Sequence, residues 1–348
     1  MKDLTPISNR PSMPSRIMVV GRPLKGSAWR SIMTQFKLVL TAVRMTLLFL
    51  FVFSTVPGAA ETGSLPGREN DYCGQKEPGS SPQPFAEGVV STPGIEYSAT
   101  FSPDIGEFYF TRLGPQYQAA IMVMKKEDRR WTIPKAASFS GVYNEGSPFV
   151  SPDGSRLFFS SQRPQEGSQT SKKDFDIWMV EKNGAAWGSP QSIGSAVNTG
   201  KDEMSPSVAA DGDLYFHGDY GAGNDIYCAT FENGRYAMPV RLGNAINTDH
   251  AEADAFTAPD ESYILFSSWD REGGYGSGDI YVSFRNKDGS WEEAKNLGPE
   301  INSPAEENWP SVSPDGKFIF FTSTKRNGLP DIYWVESSIL HRLLGRSR

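Results

Sequence analysis

Short hydrophobic runs separated by Ser-Pro-Asp-Gly-type turns recur between about residues 83 and 336. An aspartate marks this turn in five copies, at spacings of 49, 58, 49 and 55 residues: Asp104, Asp153, Asp211, Asp260 and Asp315. A strand-like run such as RLFFSS follows each turn. After a variable loop comes a second run, which begins Asp-Ile-Tyr or Asp-Ile-Trp in four of the copies. Short apolar and aromatic runs bounded by turn residues predict β-strands.

A third feature keeps the copies in phase. An aromatic residue stands 11 or 12 residues after the start of the second run: Trp131, Trp187, Tyr236 and Trp291. Each copy then reads as four short strands with one long loop, which is the unit of a propeller blade. The sequence therefore predicts an all-β fold, a five-bladed β-propeller of four-stranded blades over residues 83–336.

The two ends of the repeat region complement each other. The last copy ends after its third strand, near Glu336, while residues 84–92 precede the first copy without a blade of their own. A strand from this N-terminal segment would complete the last blade and remove an exposed sheet edge. We therefore expect the ring to close through that strand.

The repeats resemble the PD40 family of WD40-like, TolB-type propeller repeats. The residues that carry the resemblance are the SPDG turns, the DIY strands and the Glu-x-x-Pro starts at Glu145, Glu203 and Glu307. The resemblance covers residues 83–336 and is confined to the repeats. It implies a propeller, an exported location and a protein-binding role.

The N-terminal region has the layout of a leader with a secretory signal, over residues 1–60. Lys37 and Arg44 precede the apolar run LLFLFVF, and Pro57 and small residues up to Ala60 follow it. This pattern predicts cleavage near Ala60 and a periplasmic or secreted protein without a membrane span in the mature chain. An uncleaved anchor is the alternative. We expect a flexible linker over residues 61–82 and a basic tail over residues 337–348.

The charge of the chain limits its partners. The net charge of the chain is −7. The leader carries eight Lys or Arg residues and one acid, a net charge of +7, so residues 61–348 together carry −14. Such an acidic body repels phosphate backbones, which argues against a nucleic-acid partner. We expect a monomer that needs no cofactor.

A glutamate lies eight residues before each repeat aspartate: Glu96, Glu145, Glu203, Glu252 and Glu307. In a propeller this position places five carboxylates around the mouth of the central channel. One interpretation is a Ca²⁺ site, because hard cations take several oxygen ligands. The other is a framework role, in which each glutamate accepts hydrogen bonds from a neighbouring blade and locks the ring.

The loops after each second strand vary in length and form one face of the propeller, the loop face. Variable loops on a constant frame are typical of binding surfaces. Trp269 and Tyr275 are expected to be exposed there as ligand contacts. The sequence favours a non-catalytic module that binds a protein, a peptide or a glycan.

The alternative function is that of a glycoside hydrolase-like enzyme with carboxylates at the channel mouth. The carboxylates available there are Glu145, Glu203, Asp254 and Glu307, with Trp309 as a sugar platform and His250 as an acid–base candidate. Glycosidases use two carboxylates in different environments, and five equivalent glutamates do not fit that pattern. Asp254 does depart from the repeat, since its equivalents are Ser147, Ser205 and Trp309.

Overall fold

The computed structural model describes residues 72–165, 172–221 and 223–345. The predicted leader, residues 1–60, lies outside the described residues. Five antiparallel sheets are arranged as the blades of a β-propeller, which confirms the predicted fold class. Among the described residues, no helix is both long enough and apolar enough to cross a membrane.

The strands follow the order of the repeats. Strand β1 (Gln83–Pro84) comes first, and blade 1 then contains β2 (Glu96–Phe101), β3 (Glu107–Leu113), β4 (Ala119–Glu127), β5 (Arg130–Trp131) and β6 (Lys135–Ala136), with a 3-10 turn at Pro115–Tyr117. Blade 2 contains β7 (Glu145–Val150), β8 (Arg156–Ser161), β9 (Asp176–Asn183), β10 (Ala186–Trp187) and β11 (Gln191–Ser192).

Blade 3 contains β12 (Glu203–Val208), β13 (Leu214–Gly218), β14 (Asp225–Ala229) and β17 (Val240–Arg241), with the small hairpin β15 (Phe231–Glu232) and β16 (Arg235–Tyr236). Blade 4 contains β18 (Ala251–Thr257), β19 (Tyr263–Trp269), β20 (Gly278–Phe284) and β21 (Lys295–Asn296). Blade 5 contains β22 (Glu307–Val312), β23 (Phe318–Ser323) and β24 (Asp331–Glu336).

The first strand of every blade is innermost. These strands contact one another around the axis: β2 with β7, β7 with β12, β12 with β18, β18 with β22, and β22 with β2. Hydrophobic side chains of the second and third strands fill the space between neighbouring sheets. Apolar burial between blades, and not within any one blade, therefore provides the core.

Strand β1 closes the ring as the sequence predicts. It pairs with β24 in antiparallel register, Gln83 opposite Trp334 and Pro84 opposite Tyr333, and thus becomes the outer strand of blade 5. A proline is compatible with this edge position because an outer strand has no ladder partner on one side. The following residue, Phe85, is fully buried among the aromatic rings of blades 5 and 1.

Residues on both sides of the repeat region also pack against the ring. Tyr72, in the predicted linker, is buried in the same aromatic cluster, and its hydroxyl donates a hydrogen bond to Asp315 (2.8 Å). After β24, the predicted tail begins with helix α1 (Ser338–Leu343), whose Ile339 and Leu340 side chains are buried. The packed part of the chain thus extends beyond residues 83–336 on both sides.

Candidate functional site

A β-bulge in each first strand directs one side chain per blade into the central channel. In each first strand the pairing register with the second strand shifts between the residue after the repeat glutamate and the residue two or three positions further on. The residue two after each repeat glutamate has a positive φ, between 48° and 54°: Ser98, Ser147, Ser205, Asp254 and Trp309. All five line one central cavity of about 30 Å³. In each repeat, the residue two after the glutamate therefore faces the channel; this is called the channel position.

The five repeat glutamates are fully buried and are held by the chain itself. Four accept hydrogen bonds from both the backbone N–H and the hydroxyl of the residue four positions earlier, at Thr92, Thr199, Thr248 and Ser303; Glu145 accepts one from the Gly141 N–H. These donors belong to the segments that lead into each blade. The donors precede each glutamate in the same segment and do not come from a neighbouring blade, so the contacts support a framework role within each blade, and a role of these glutamates in ligand binding stays a prediction.

The five glutamates differ in charge compensation. Arg112 pairs with Glu96 (2.9 Å), and Arg163 pairs with Glu145. Burial raises the pKa of the other three carboxyls, to about 7 for Glu203. None of the five is among the described residues that line the central cavity.

Asp254 is the carboxylate that reaches the channel. It is 4% exposed and accepts a hydrogen bond from the Ser205 hydroxyl (2.8 Å). The Trp309 Nε1–H donates in turn to that hydroxyl (3.3 Å), and the Trp309 ring lies 4.7 Å from the ring of Tyr97. Burial raises the pKa of Asp254 to about 7. The channel centre is thus one buried acid bordered by hydroxyls and two aromatic rings.

His217 is a channel neighbour that the sequence analysis did not select. The backbone N–H of Asp254 donates to His217 Nδ1 (3.2 Å), and burial lowers the pKa of this histidine to about 3. The equivalent N–H groups in other blades donate to hydroxyls instead, those of Thr322, Thr111 and Ser160. Aligning the second strands would have revealed His217 as the exception. The residues that depart from the repeat, His217, Asp254 and Trp309, therefore meet where blades 3, 4 and 5 approach the axis.

The remaining candidates are placed differently. Trp269 is 9% exposed and packs on Ala251 and Ala253, so the expectation that it is exposed is wrong. Tyr275 is 46% exposed, as expected. His250 is half-buried, its backbone N–H donates to the Thr248 hydroxyl (3.1 Å), and it does not line the described cavity.

The loop face carries an exposed apolar patch, the Tyr117 patch, formed by Tyr117 and Val142. Tyr117 is 53% exposed and Val142 is 77% exposed. Gln118 donates hydrogen bonds to the carbonyl oxygens of Gly141 (3.3 Å) and Tyr143 (3.1 Å), which holds the blade 1 loop beside Val142. Gln116 and Tyr117 have φ values of 69° and 64°, a left-handed conformation that is costly for residues other than glycine. Strained loop tips of this kind concentrate at functional sites.

Comparisons with known proteins give no match to a protein-family model or to a curated protein. Solved structures do match. A TolB-type protein from Agrobacterium tumefaciens is 20% identical, with 68% of this chain and 72% of that chain covered at a TM-score of 0.44. TolB from Acinetobacter baumannii is 17% identical, with 71% and 55% covered and a TM-score of 0.44.

An arabinanase from Bacillus subtilis matches with the same TM-score. It is 12% identical, with 72% of this chain and 95% of that chain covered and a TM-score of 0.44. At such identities the likeness concerns the fold alone. The chain is a five-bladed β-propeller, and its SPDG turns and DIY strands resemble those of the TolB-type repeats.

Proposed function

We propose that this chain is an exported, non-catalytic module that binds a protein or peptide on its loop face. The observation that carries the proposal is the Tyr117 patch, where a strained loop tip holds an aromatic side chain beside an exposed aliphatic one. Exposed aromatic side chains are frequent anchors of protein interfaces. The aliphatic surface of Val142 suits an apolar side chain of a partner better than the hydroxyl groups of a glycan.

The channel supports binding over catalysis. A cavity of about 30 Å³ holds a water-sized group, whereas small-molecule pockets measure roughly 300 Å³ or more. Glycoside hydrolysis needs two carboxyl groups about 5 to 9.5 Å apart around the scissile bond. Among the described residues that line the cavity, Asp254 supplies the single carboxylate. A glycosidase acting at this cavity would therefore need a second acid from outside its lining.

The exported location in this proposal rests on the sequence of the leader. Lys37 and Arg44 followed by the apolar run and Ala60 form the predicted secretory signal. Cleavage there would leave the propeller in the periplasm or outside the cell. A polypeptide partner in that compartment is consistent with the acidic charge, which disfavours nucleic acid.

A paired substitution experiment tests the binding face. Peptides selected from a randomised phage-displayed library on the wild-type chain are titrated against two double variants. Tyr117→Ser with Val142→Ser removes the Tyr117 patch. The control, Met238→Ser with Val240→Ser, alters equally exposed apolar side chains (71% and 69%) on the outer edge of blade 3.

The patch variant is expected to lose at least about tenfold in affinity, since burial of two apolar side chains contributes on the order of 2 kcal/mol. The control variant should bind as wild type does. Equal affinity of both variants would contradict the proposal. The proposal would also be contradicted if the library yielded no binding peptide while a soluble oligosaccharide raised the melting temperature of the chain.

A further inference from the structure

The buried charge of Asp254 has no cationic partner in its surroundings. Asp254 is 4% exposed, and no lysine or arginine is among the described residues that line the cavity. The nearest basic side chain is His217, whose Nδ1 accepts the Asp254 N–H and lies 3.7 Å from the carboxylate. An accepting Nδ1 carries no proton on that atom. An ionised carboxylate in such a place is costly unless a positive charge accompanies it.

Oxygen atoms from three consecutive blades gather around this charge. The Ser205 hydroxyl lies 2.8 Å from Asp254 Oδ1 and 3.3 Å from the Ser147 hydroxyl. Ser98 lines the same cavity from blade 1. Carboxylate and hydroxyl oxygens are the ligands that hard cations prefer, whereas copper and zinc favour nitrogen and sulfur ligands.

The charge and size of the cavity select the kind of ion. A single carboxylate among neutral serine hydroxyls balances one positive charge, whereas Ca²⁺ sites usually use several carboxylates with six to eight oxygens. A cavity of about 30 Å³ has room for one ion or one to two water molecules. The single negative charge therefore favours a monovalent ion, and the volume limits the site to one ion.

We propose that the central channel binds one small monovalent metal cation, Na⁺ or K⁺, with Asp254 as its charge partner and Ser147 and Ser205 as further oxygen ligands. The repeat explains why the site occurs once. Three blades place serine at the channel position and blade 5 places Trp309, so blade 4 alone supplies a negative charge. The site is independent of the loop face and would link three blades through one ion.

Thermal unfolding of the full chain at pH 8 tests this site. The protein is transferred into choline chloride, and NaCl or KCl then replaces choline at constant ionic strength. The melting temperature of the wild-type chain is expected to rise and saturate, by about 3 °C at tenfold excess over the dissociation constant. Asp254→Asn should show no such rise, while Glu181→Gln, an exposed charge change on blade 2, should behave as wild type.

A second variant and a direct measurement complete the test. Asp254→Ser installs the residue that three other blades carry at this position, so it is the variant to use if Asp254→Asn does not fold. Crystals soaked in RbCl are expected to show an anomalous peak within about 3 Å of Asp254. Equal responses of wild type and both variants, identical melting in choline and in Na⁺ or K⁺, or water alone at the site would overturn the proposal.

Discussion

The hydrogen bonds of Glu252 indicate how much stability one framework glutamate contributes. Its buried carboxylate accepts bonds from the Thr248 N–H (2.9 Å), the Thr248 hydroxyl (2.6 Å) and the Ser268 hydroxyl (3.0 Å). Hydrogen bonds to a charged group contribute roughly 1.5 to 3 kcal/mol each, and burial of the charge offsets part of the sum. We expect Glu252→Ala to lower the free energy of unfolding by about 4 kcal/mol.

A graded control separates the bonds from the rest of the side chain. Thr248→Val removes the hydroxyl that donates to Glu252 and accepts the His250 N–H, leaves the backbone N–H and keeps the shape of the residue, so we expect a loss of about 1 to 2 kcal/mol. Urea unfolding followed by tryptophan fluorescence measures both variants in the full-length chain. Ligand affinity, measured with the phage-selected peptides, should stay at the wild-type level in each folded variant.

Two results would refute this reasoning. A Glu252→Ala variant within about 1 kcal/mol of wild type would show that these bonds do not stabilise the blade. Normal stability combined with lost ligand binding would show instead that Glu252 contacts the ligand. The second outcome would favour a binding role for all five repeat glutamates.

Further predictions concern closure, pH and divalent ions. Phe85→Ala should cost about 4 kcal/mol in urea unfolding because its ring is fully buried, whereas Phe85→Leu should cost under about 1.5 kcal/mol; equal midpoints would argue against closure by β1. The folded pKa of Glu203 is raised by burial from 4.5 to about 7, so its stabilising neutral form is lost as pH rises through 7. The free energy of unfolding of Glu203→Gln, relative to that of wild type, should therefore rise by about 2 kcal/mol between pH 5 and pH 8.5. A difference between the two that does not change with pH would contradict this. Melting temperatures in Ca²⁺ and in EDTA should agree, since Glu252 and Glu307 already accept hydrogen bonds on both oxygens, and a Ca²⁺-dependent rise would show a divalent site.

The fold could be predicted from the sequence because the signals that mark each repeat are local. Turn residues at Asp153 and Asp315 and the aromatic runs after them fix strand positions without any knowledge of tertiary contacts. The missing strand of the last copy predicted the pairing of β1 with β24. Packing of Tyr72 and of helix α1 against the ring depends on long-range contacts, and no repeat signal marks either segment.

The site was less predictable because a bulge changes which side chains face the axis. Regular alternation along the first strands cannot show that the residue two after each glutamate turns into the channel. The contact between His217 and Asp254 joins residues 37 positions apart in different blades. Trp269 was expected on the surface, but small alanines beside it allow its ring to pack inward.

The position of the bound partner tests the central claim most directly. A photoreactive amino acid is placed at Tyr117 on the loop face and, in a second variant, at the exposed Ser155 in the turn on the opposite face. Each variant is irradiated in cells that export the chain, and crosslinked polypeptides are detected on gels. The account predicts a discrete crosslinked polypeptide from position 117 and none from position 155. A crosslink from position 155 without one from position 117 would contradict it.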